Sequence, residues 1–193
     1  APILRALHAL HPSCATYLIR PPLSRPLPAS HKRPPRHIGA SPEELITLQE
    51  GRFTVDALAG SAPLSTPDEV FLQSEKDLEE HALVIETILE KLRGLAETKQ
   101  EETRVDELKN IKHLRTRITG TCASSSTLSM LADALHPTPA VCGKPLAAAR
   151  EYILAHERGA FLDRGWYTGA VGWFALDDRS GELRVSLRSG LLD

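Results

Sequence analysis

The clearest hydrophobic pattern in the chain is a helical one, between Ser74 and about Ala96. Its apolar residues recur every three or four positions, at Leu78, Ile85, Ile88, Leu89, Leu92 and Ala96. This spacing predicts a long amphipathic helix, and Ser74 followed three residues later by Asp77 is a suitable N-cap. On this helix His81 falls inside the apolar stripe and Glu80 lies at its edge. A carboxylate there costs free energy unless a hydrogen bond, a salt bridge or a cation satisfies it, although a solvated glutamate and a core histidine are the ordinary interpretations.

Two segments alternate apolar and polar residues around a two-residue turn. Glu44–Gln49 and Arg52–Leu58 flank Glu50 and Gly51, so we predict a β-hairpin. The other predicted strands are Cys14–Arg20, Ile111–Ile118, Tyr167–Leu176 and Glu182–Leu191. The other predicted helices are Ile3–Leu10, Thr127–Leu135 and Pro145–Glu157. Residues 94–109 are mostly charged, and we predict a loop or a frayed helix there.

A run of small residues, Ala59-Gly60-Ser61-Ala62-Pro63, follows the hairpin and is predicted to be a loop. Because the side chains are small, a ligand or another backbone can approach closely. Gly60 and Ser61 could then donate main-chain and hydroxyl hydrogen bonds to a ligand. The alternative is a plain tight turn before the helix, which these five residues alone favour.

The segment His136–Gly143 carries two prolines, Pro137 and Pro139, on either side of Thr138. Prolines in this arrangement hold the backbone extended and stop any helix. We call this segment the proline ledge, and we expect it to offer backbone groups to a ligand.

Composition excludes several classes of function. The chain has 193 residues, 41% hydrophobic and 25% charged, with a net charge of -2, which is ordinary for one globular domain and gives no electrostatic footprint for nucleic acid or an anionic membrane. Its apolar runs are far shorter than the ~20 residues of a membrane helix. Cys14, Cys122 and Cys142 are widely spaced and odd in number, which favours reduced thiols over a disulfide or zinc framework.

Residues 21–37 form a proline- and arginine-rich stretch. Six prolines lie among arginine, serine, histidine and lysine, so we predict a low-complexity, disordered insertion that joins neither a sheet nor a helix. Contact with an acidic partner is an alternative, but a solvated loop is the favoured interpretation.

Two predicted strands place basic residues on one face. Alternation along Ile111–Ile118 puts His113 beside Arg115 and Arg117, and alternation along Glu182–Leu191 puts Arg184, Ser186 and Arg188 together. On the second of these strands, the forked guanidinium of an arginine suits a carboxylate, because it binds both oxygens at once. Arginines on the open face of a half-exposed sheet are the alternative.

In their order and in the identity of their residues, these segments resemble those of the chorismate-utilising enzymes, and among these enzymes those of the isochorismate synthases. The resemblance is carried by Gly39-Ala40-Ser41-Pro42-Glu43, Leu58–Ala62, Ser74–Asp77 with Glu80-His81, His113-Leu114, His136–Gly143, Phe161–Trp173 and Leu187-Arg188-Ser189. The proline ledge points to the isochorismate branch, since relatives that make anthranilate or aminodeoxychorismate carry a different segment there.

The resemblance implies an α+β fold of packed antiparallel sheets flanked by helices, with residues 1–193 forming part of a single chorismate-binding domain that is incomplete at both ends. It also implies a Mg²⁺-dependent isomerisation of chorismate to isochorismate. In that reaction water adds at the ring carbon C2 and the C4 hydroxyl leaves.

The resemblance also assigns roles to individual residues. Glu43 matches the general acid, His113 the histidine near the leaving group, and Glu80 a carboxylate that binds Mg²⁺. Arg188 matches the arginine that holds the enolpyruvyl carboxylate. The pocket lining is matched by Gly60, Ser61, Ala62, Ala140 and Val141. Of the adjacent acids, only Glu43 and not Glu44 fits the motif.

None of the lysines of this chain matches the family's general base, and the family's further metal-binding carboxylates are also unmatched. We therefore expect a fragment of an isochorismate synthase that is inactive or nearly so alone. A degenerate homologue that serves as an interaction module and a salicylate synthase-like sibling are the alternatives. We expect a monomer that binds chorismate. We expect it to lie in the plastid stroma if the source is a plant or alga and in the cytoplasm otherwise. The parent enzyme would serve phylloquinone, menaquinone, salicylate or siderophore synthesis.

Overall fold

The computed structural model describes residues 2–20, 35–159 and 164–192, which contain five helices and ten strands. The helices are α1 (Pro2–Leu10), α2 (Asp68–Phe71), α3 (Glu75–Leu92), α4 (Leu128–Leu135) and α5 (Leu146–Gly159). The strands are β1 (Ala15–Ile19), β2 (Arg36–Ser41), β3 (Glu44–Gln49), β4 (Arg52–Ala62), β5 (Ala96–Gln100), β6 (Arg104–Glu107), β7 (Lys112–Cys122), β8 (Ala170–Phe174), β9 (Gly181–Val185) and β10 (Ser189–Leu192).

The predicted long helix is confirmed as α3. The Ser74 side chain accepts a hydrogen bond from the Asp77 N–H, as expected of an N-cap. The helix ends at Leu92, before the predicted end, and Gly94 follows in the left-handed region with φ +81°. Its inner face buries His81, Val84, Ile85, Ile88 and Leu92.

The strands form two antiparallel sheets. The larger has the order β5-β7-β4-β3-β9-β8, with β6 also paired to β7, and the smaller has the order β1-β2-β10. Helices α3 and α4 cover one face of the larger sheet, where Phe53, Val55, Ile88 and Leu131 belong to the same buried core. The implied α+β fold of antiparallel sheets with flanking helices is confirmed.

Strand β4 includes most of the small-residue run that was predicted to be a loop, so that prediction is wrong. Pairing of β4 with β7 continues to Ala62, with a register shift between Ala59 and Ser61. Gly60 lies at the shift with φ +75°, and a Cβ added there would lie 3.2 Å from the Asp77 Cβ. The expected close approach therefore occurs, and the approaching backbone is the first turn of α3.

Residues 94–109 also depart from the predicted loop or frayed helix. Strands β5 and β6 lie end to end along one edge of β7 and carry mostly charged, exposed side chains. Edge strands commonly carry such residues, which discourage pairing with another chain, so their composition resembles that of a loop.

The predicted strand Glu182–Leu191 is divided between the two sheets. Strand β9 pairs with β3 and β8, whereas β10 pairs with β2. Residues 186–188 cross from one sheet to the other, and Arg188 adopts φ +48° at the crossing. Alternation of apolar residues does not reveal such a break, because the period continues across it.

Strand β2 begins at Arg36, so the last two residues of the predicted insertion belong to a sheet, and His37 is buried there. Residues 21–34 of the insertion lie outside the described residues. Within the part of the chain that the structure describes, no helix is long and apolar enough to cross a membrane.

Candidate active site

A cavity of about 480 Å³ opens where the end of β4, the first turns of α3, the proline ledge and the sheet crossing meet. The sequence-predicted residues in its lining are Glu43, Gly60, Ser61, Glu80, His113, Ala140, Val141 and Arg188. Ala62 lies outside this lining, in a small apolar cluster with Phe71 and Leu114. The fold thus brings together residues that are up to 145 positions apart in sequence, while their catalytic and binding roles stay predictions.

Glu43 lies between β2 and β3, with its backbone held on both sides. Its N–H donates to the Ser41 Oγ at 3.2 Å, and its carbonyl accepts from the Val185 N–H at 3.1 Å. Its side chain is buried, and among the described residues its carboxyl group has no hydrogen-bond or ionic partner. Burial raises the pKa of Glu43 from 4.5 to about 7. At neutral pH about half of the molecules therefore carry a proton on this carboxyl, which it can donate.

The adjacent carboxylate, Glu44, is engaged elsewhere. Its Oε1 accepts a hydrogen bond from the Thr54 hydroxyl at 2.6 Å, and Arg184 lies 3.1 Å from its Oε2. Arg184 is therefore paired with a structural carboxylate and is absent from the cavity lining, whereas Arg188 reaches the cavity. Alternation placed Arg184 and Arg188 on one face, but Arg184 forms an ion pair within the fold whereas Arg188 lines the cavity.

His113 is oriented by its Nδ1 atom, which lies 3.0 Å from the Gly60 carbonyl and 3.0 Å from the Ser61 hydroxyl. A carbonyl can only accept a hydrogen bond, so Nδ1 carries a proton and donates it. In the neutral ring, Nε2 is then left as the basic nitrogen. The β4 register shift, which presents Gly60 and Ser61 together, fixes the tautomer of this histidine.

Glu80 projects from α3 at the margin of the cavity, exposed to solvent. Its carboxylate has no hydrogen-bond or ionic partner within the described ranges. Mg²⁺ prefers oxygen ligands and is commonly held by one or two carboxylates together with substrate oxygens and water, so Glu80 fits one such ligand. The described residues form no group of three or more metal-binding side chains, so protein groups there do not complete a metal site.

His81, next to Glu80, is a buried core histidine, as its place in the apolar stripe predicts. Its Nε2 lies 2.7 Å from the Thr116 hydroxyl, which lies 2.8 Å from the Thr103 hydroxyl. Burial lowers the pKa of His81 to about 4, so the ring is neutral at physiological pH.

Arg188 is exposed in the lining, and its Nη1 lies 3.6 Å from the Cys14 Sγ. It forms no ion pair with any carboxylate in the described part of the chain. A free guanidinium facing a cavity is suited to bind a carboxylate through two parallel hydrogen bonds.

Sequence reasoning assigned no role to three further lining residues, Arg164, Tyr167 and Thr168. The Arg164 Nε lies 2.8 and 2.7 Å from the two carboxylate oxygens of Glu157, and its Nη1 donates to the Val141 carbonyl at 3.1 Å. Arg164 therefore joins α5 to the proline ledge. The polar and aromatic residues crowded into 164–168 were the available indication.

The model of the chorismate binding enzyme family matches residues 28–193. The chain belongs to the chorismate-binding enzyme family. This membership confirms the family resemblance of the sequence.

Curated relatives of the chain include the salicylate biosynthesis isochorismate synthase of Pseudomonas aeruginosa, 38% identical over 165 residues that cover 80% of the chain and 34% of the relative. The isochorismate synthase DhbC of Bacillus subtilis is 40% identical over 162 residues, covering 78% of the chain and 39% of the relative. The crystal structure of DhbC from Bacillus anthracis superposes with a TM-score of 0.87 at 33% identity, covering 99% of this chain and 51% of that one. The chain therefore spans well under half the length of the two curated relatives.

Proposed function

We propose that this chain is the part of an isochorismate synthase that binds chorismate and protonates its leaving hydroxyl. The observation that carries the proposal is one cavity lined by a protonatable buried carboxyl, a histidine of fixed tautomer and an arginine that has no carboxylate partner among the described residues. Membership of the chorismate-binding family and likeness to two isochorismate synthases support this choice of substrate.

The proposed reaction adds one water at C2 of chorismate and releases one from C4, while the ring double bonds shift. Loss of the C4 hydroxyl requires a proton, and Glu43 would supply it because its raised pKa leaves a large fraction of the carboxyl protonated near neutrality. His113 would hold the leaving hydroxyl by a hydrogen bond at Nε2, since Nδ1 is committed to Gly60.

Substrate orientation is assigned to Arg188 and to the small residues of the lining. Arg188 would bind the enolpyruvyl carboxylate through its guanidinium. Gly60, Ser61, Ala140 and Val141 would leave room for the ring and present backbone groups to it. The proposed Mg²⁺ would neutralise a substrate carboxylate, with Glu80 as one of its oxygen ligands.

No lysine lines the cavity within the described ranges, and Glu43 is assigned to the acid, so the base that activates water is unassigned. We therefore expect the isolated chain to bind chorismate and turn it over little or not at all. Turnover by this chain alone that disappears in Glu80→Ala would contradict that expectation.

Calorimetric titration of the chain with chorismate in the presence of Mg²⁺ tests the proposal. Arg188→Ala should weaken binding at least tenfold, because a charge-assisted hydrogen-bond contact to a carboxylate is worth about 1.5–3 kcal/mol. Arg52→Ala, which removes an exposed arginine outside the cavity, is the matched control. Equal binding by the two variants would refute the assignment of the cavity.

The product formed by the full-length protein decides the reaction type. Isochorismate supports the proposal, salicylate with release of pyruvate would indicate a salicylate synthase-like enzyme, and no conversion would indicate an interaction module.

A further inference from the structure

Three polar side chains from separate parts of the chain meet beneath the cavity wall that carries Arg188. The Ser186 Oγ lies 2.7 Å from the His37 Nε2 and 2.8 Å from the Tyr17 hydroxyl. Ser186 and His37 are buried, at 1% and 3% exposure, and Tyr17 is half-buried. We call this group the serine cluster.

The serine cluster joins the smaller sheet to the sheet crossing. Tyr17 lies on β1 and His37 on β2, while Ser186 follows the last residue of β9. The Tyr17 ring lies over Gly39, where an added Cβ would come within 2.3 Å of the Tyr17 hydroxyl oxygen. A glycine at this strand position therefore allows the tyrosine hydroxyl to reach Ser186.

Two cavity-lining turns are attached to Ser186. Its backbone N–H donates to the Gly169 carbonyl at 2.7 Å, and its carbonyl accepts from the Thr168 N–H at 2.8 Å. Two residues later Arg188 takes its left-handed conformation, and the Ala40 N–H donates to its carbonyl at 3.3 Å. Trp166 packs edge-on against the His37 ring at 5.5 Å between ring centroids. The cluster thus contacts both segments that bring Thr168 and Arg188 to the cavity.

Burying the polar side chains of the serine cluster costs free energy of folding, so a contribution to stability alone does not explain why they are there. The His37 Nδ1 is buried with no hydrogen-bond partner among the described residues, so one polar atom of the ring loses water without compensation. Burial accordingly lowers the pKa of His37 and keeps the ring neutral. Apolar residues of the same size would fill the space at lower cost, but they would not fix the direction of the turn.

We propose that the serine cluster is a positioning device that aims the Arg188 guanidinium at the substrate carboxylate. It acts by fixing the 186–188 turn to β1 and β2, and it touches no substrate itself. This inference rests on the proposed function, because it assigns the support of the arginine that the proposal places on the enolpyruvyl carboxylate.

A double-mutant cycle on chorismate binding by the 193-residue chain tests the inference. Ser186→Ala should weaken binding about tenfold, since it leaves buried polar groups without a partner and frees the turn. In the Arg188→Ala background, Ser186→Ala should cause no further loss, because the arginine through which it acts is already gone. Ser186→Thr, which keeps a hydroxyl at this position, should restore most of the affinity.

Thr116→Val is the matched control. Its hydroxyl also bonds one buried histidine Nε2 and one other hydroxyl, at 2.7 and 2.8 Å, but it does not line the cavity or support the crossing. It should lower stability without changing chorismate affinity. Tyr17→Phe, which keeps the ring over Gly39, is the second cluster variant and should weaken binding in the same direction as Ser186→Ala.

The outcomes separate the two proposals. The positioning role is wrong, and the proposed function stands, if Arg188→Ala loses binding while folded Ser186→Ala and Tyr17→Phe keep it. The same conclusion follows if the losses of affinity caused by Ser186→Ala and Arg188→Ala multiply in the variant that carries both. If the wild-type chain does not bind chorismate, or if Arg188→Ala binds it normally, both proposals fall.

Discussion

The buried carboxyl of Glu43 should make the chain less stable as the pH rises through neutrality. Its pKa in the folded chain is raised from 4.5 to about 7 because burial penalises the charged form. A group whose pKa is raised on folding stabilises the fold below its unfolded pKa, and this contribution is lost as the pH rises through the folded pKa. Glu43→Gln removes the titration while keeping the shape of the side chain.

The magnitude follows from the two pKa values. Each tenfold change in proton affinity is worth about 1.4 kcal/mol, so ionising this carboxyl within the fold costs roughly 3 kcal/mol above pH 8. At pH 5 most of this cost is absent, since the folded chain keeps the proton. The stability difference between Glu43→Gln and wild type should therefore grow by roughly 2.5 kcal/mol between pH 5 and pH 8.5.

Urea unfolding at a series of pH values measures this difference. Burial lowers the pKa of His37, His81 and His136, so these groups reduce stability as the pH falls below 6.5 in both proteins and cancel in the comparison. Glu79→Gln, at an exposed glutamate of α3, is the control, and the stability difference of Glu43→Gln should change with pH by more than that of Glu79→Gln.

A stability difference between Glu43→Gln and wild type that is constant from pH 5 to pH 8.5 would refute the reasoning. It would mean that Glu43 ionises normally in the folded chain and is not held ready as an acid.

Three further predictions concern the other walls of the cavity and the metal. Glu157→Gln should weaken chorismate binding by about threefold to tenfold. Arg164 loses its bidentate partner, and its guanidinium is then no longer oriented to hold the Val141 carbonyl. Titration calorimetry measures the affinity, and an unchanged affinity would contradict the prediction. Gly60→Ala should destabilise the chain by roughly 1–3 kcal/mol in urea, and by more than Gly51→Ala. Both glycines have φ +75°, but a Cβ added at Gly60 would lie 3.2 Å from Asp77 of α3, whereas one added at Gly51 would lie 3.8 Å from its nearest neighbour. An equal loss of stability in the two variants would show that crowding is unimportant. Removing Mg²⁺ with a chelator should weaken chorismate binding by wild type but hardly at all by Glu80→Ala, and the same loss in both would exclude Glu80 as a ligand.

Sequence patterns predicted the elements whose side chains face a core on one side. Helix α3 and the β3–β4 hairpin are examples, since burial of one face imposes a period of 3.6 or 2. Strands β5 and β6 were missed because both are exposed at an edge and carry charged side chains. The break between β9 and β10 was missed because the residues of the crossing keep the same alternation.

Only the family motifs allowed a prediction that the residues of the candidate site lie close together in the fold. Nothing local marks Glu43 and Glu80 as neighbours of His113, since their proximity depends on the pairing of β4 with β7 and on the packing of α3. The Arg164–Glu157 pair and the serine cluster were not predicted. Each depends on contacts between segments whose sequences carry no periodic pattern, and contacts of that kind follow from tertiary packing alone.

The crossing of the chain at residues 186–188 affects how the two sheets can separate when the chain unfolds locally. Among the described residues the smaller sheet consists of three short strands, and β10 joins it directly after the crossing. A ligand held between Arg188 on this side and His113 on the larger sheet would span both sheets, so neither could separate without releasing it. Substrate binding would then oppose separation of the two sheets, and local opening of the smaller sheet should become rarer when substrate is bound.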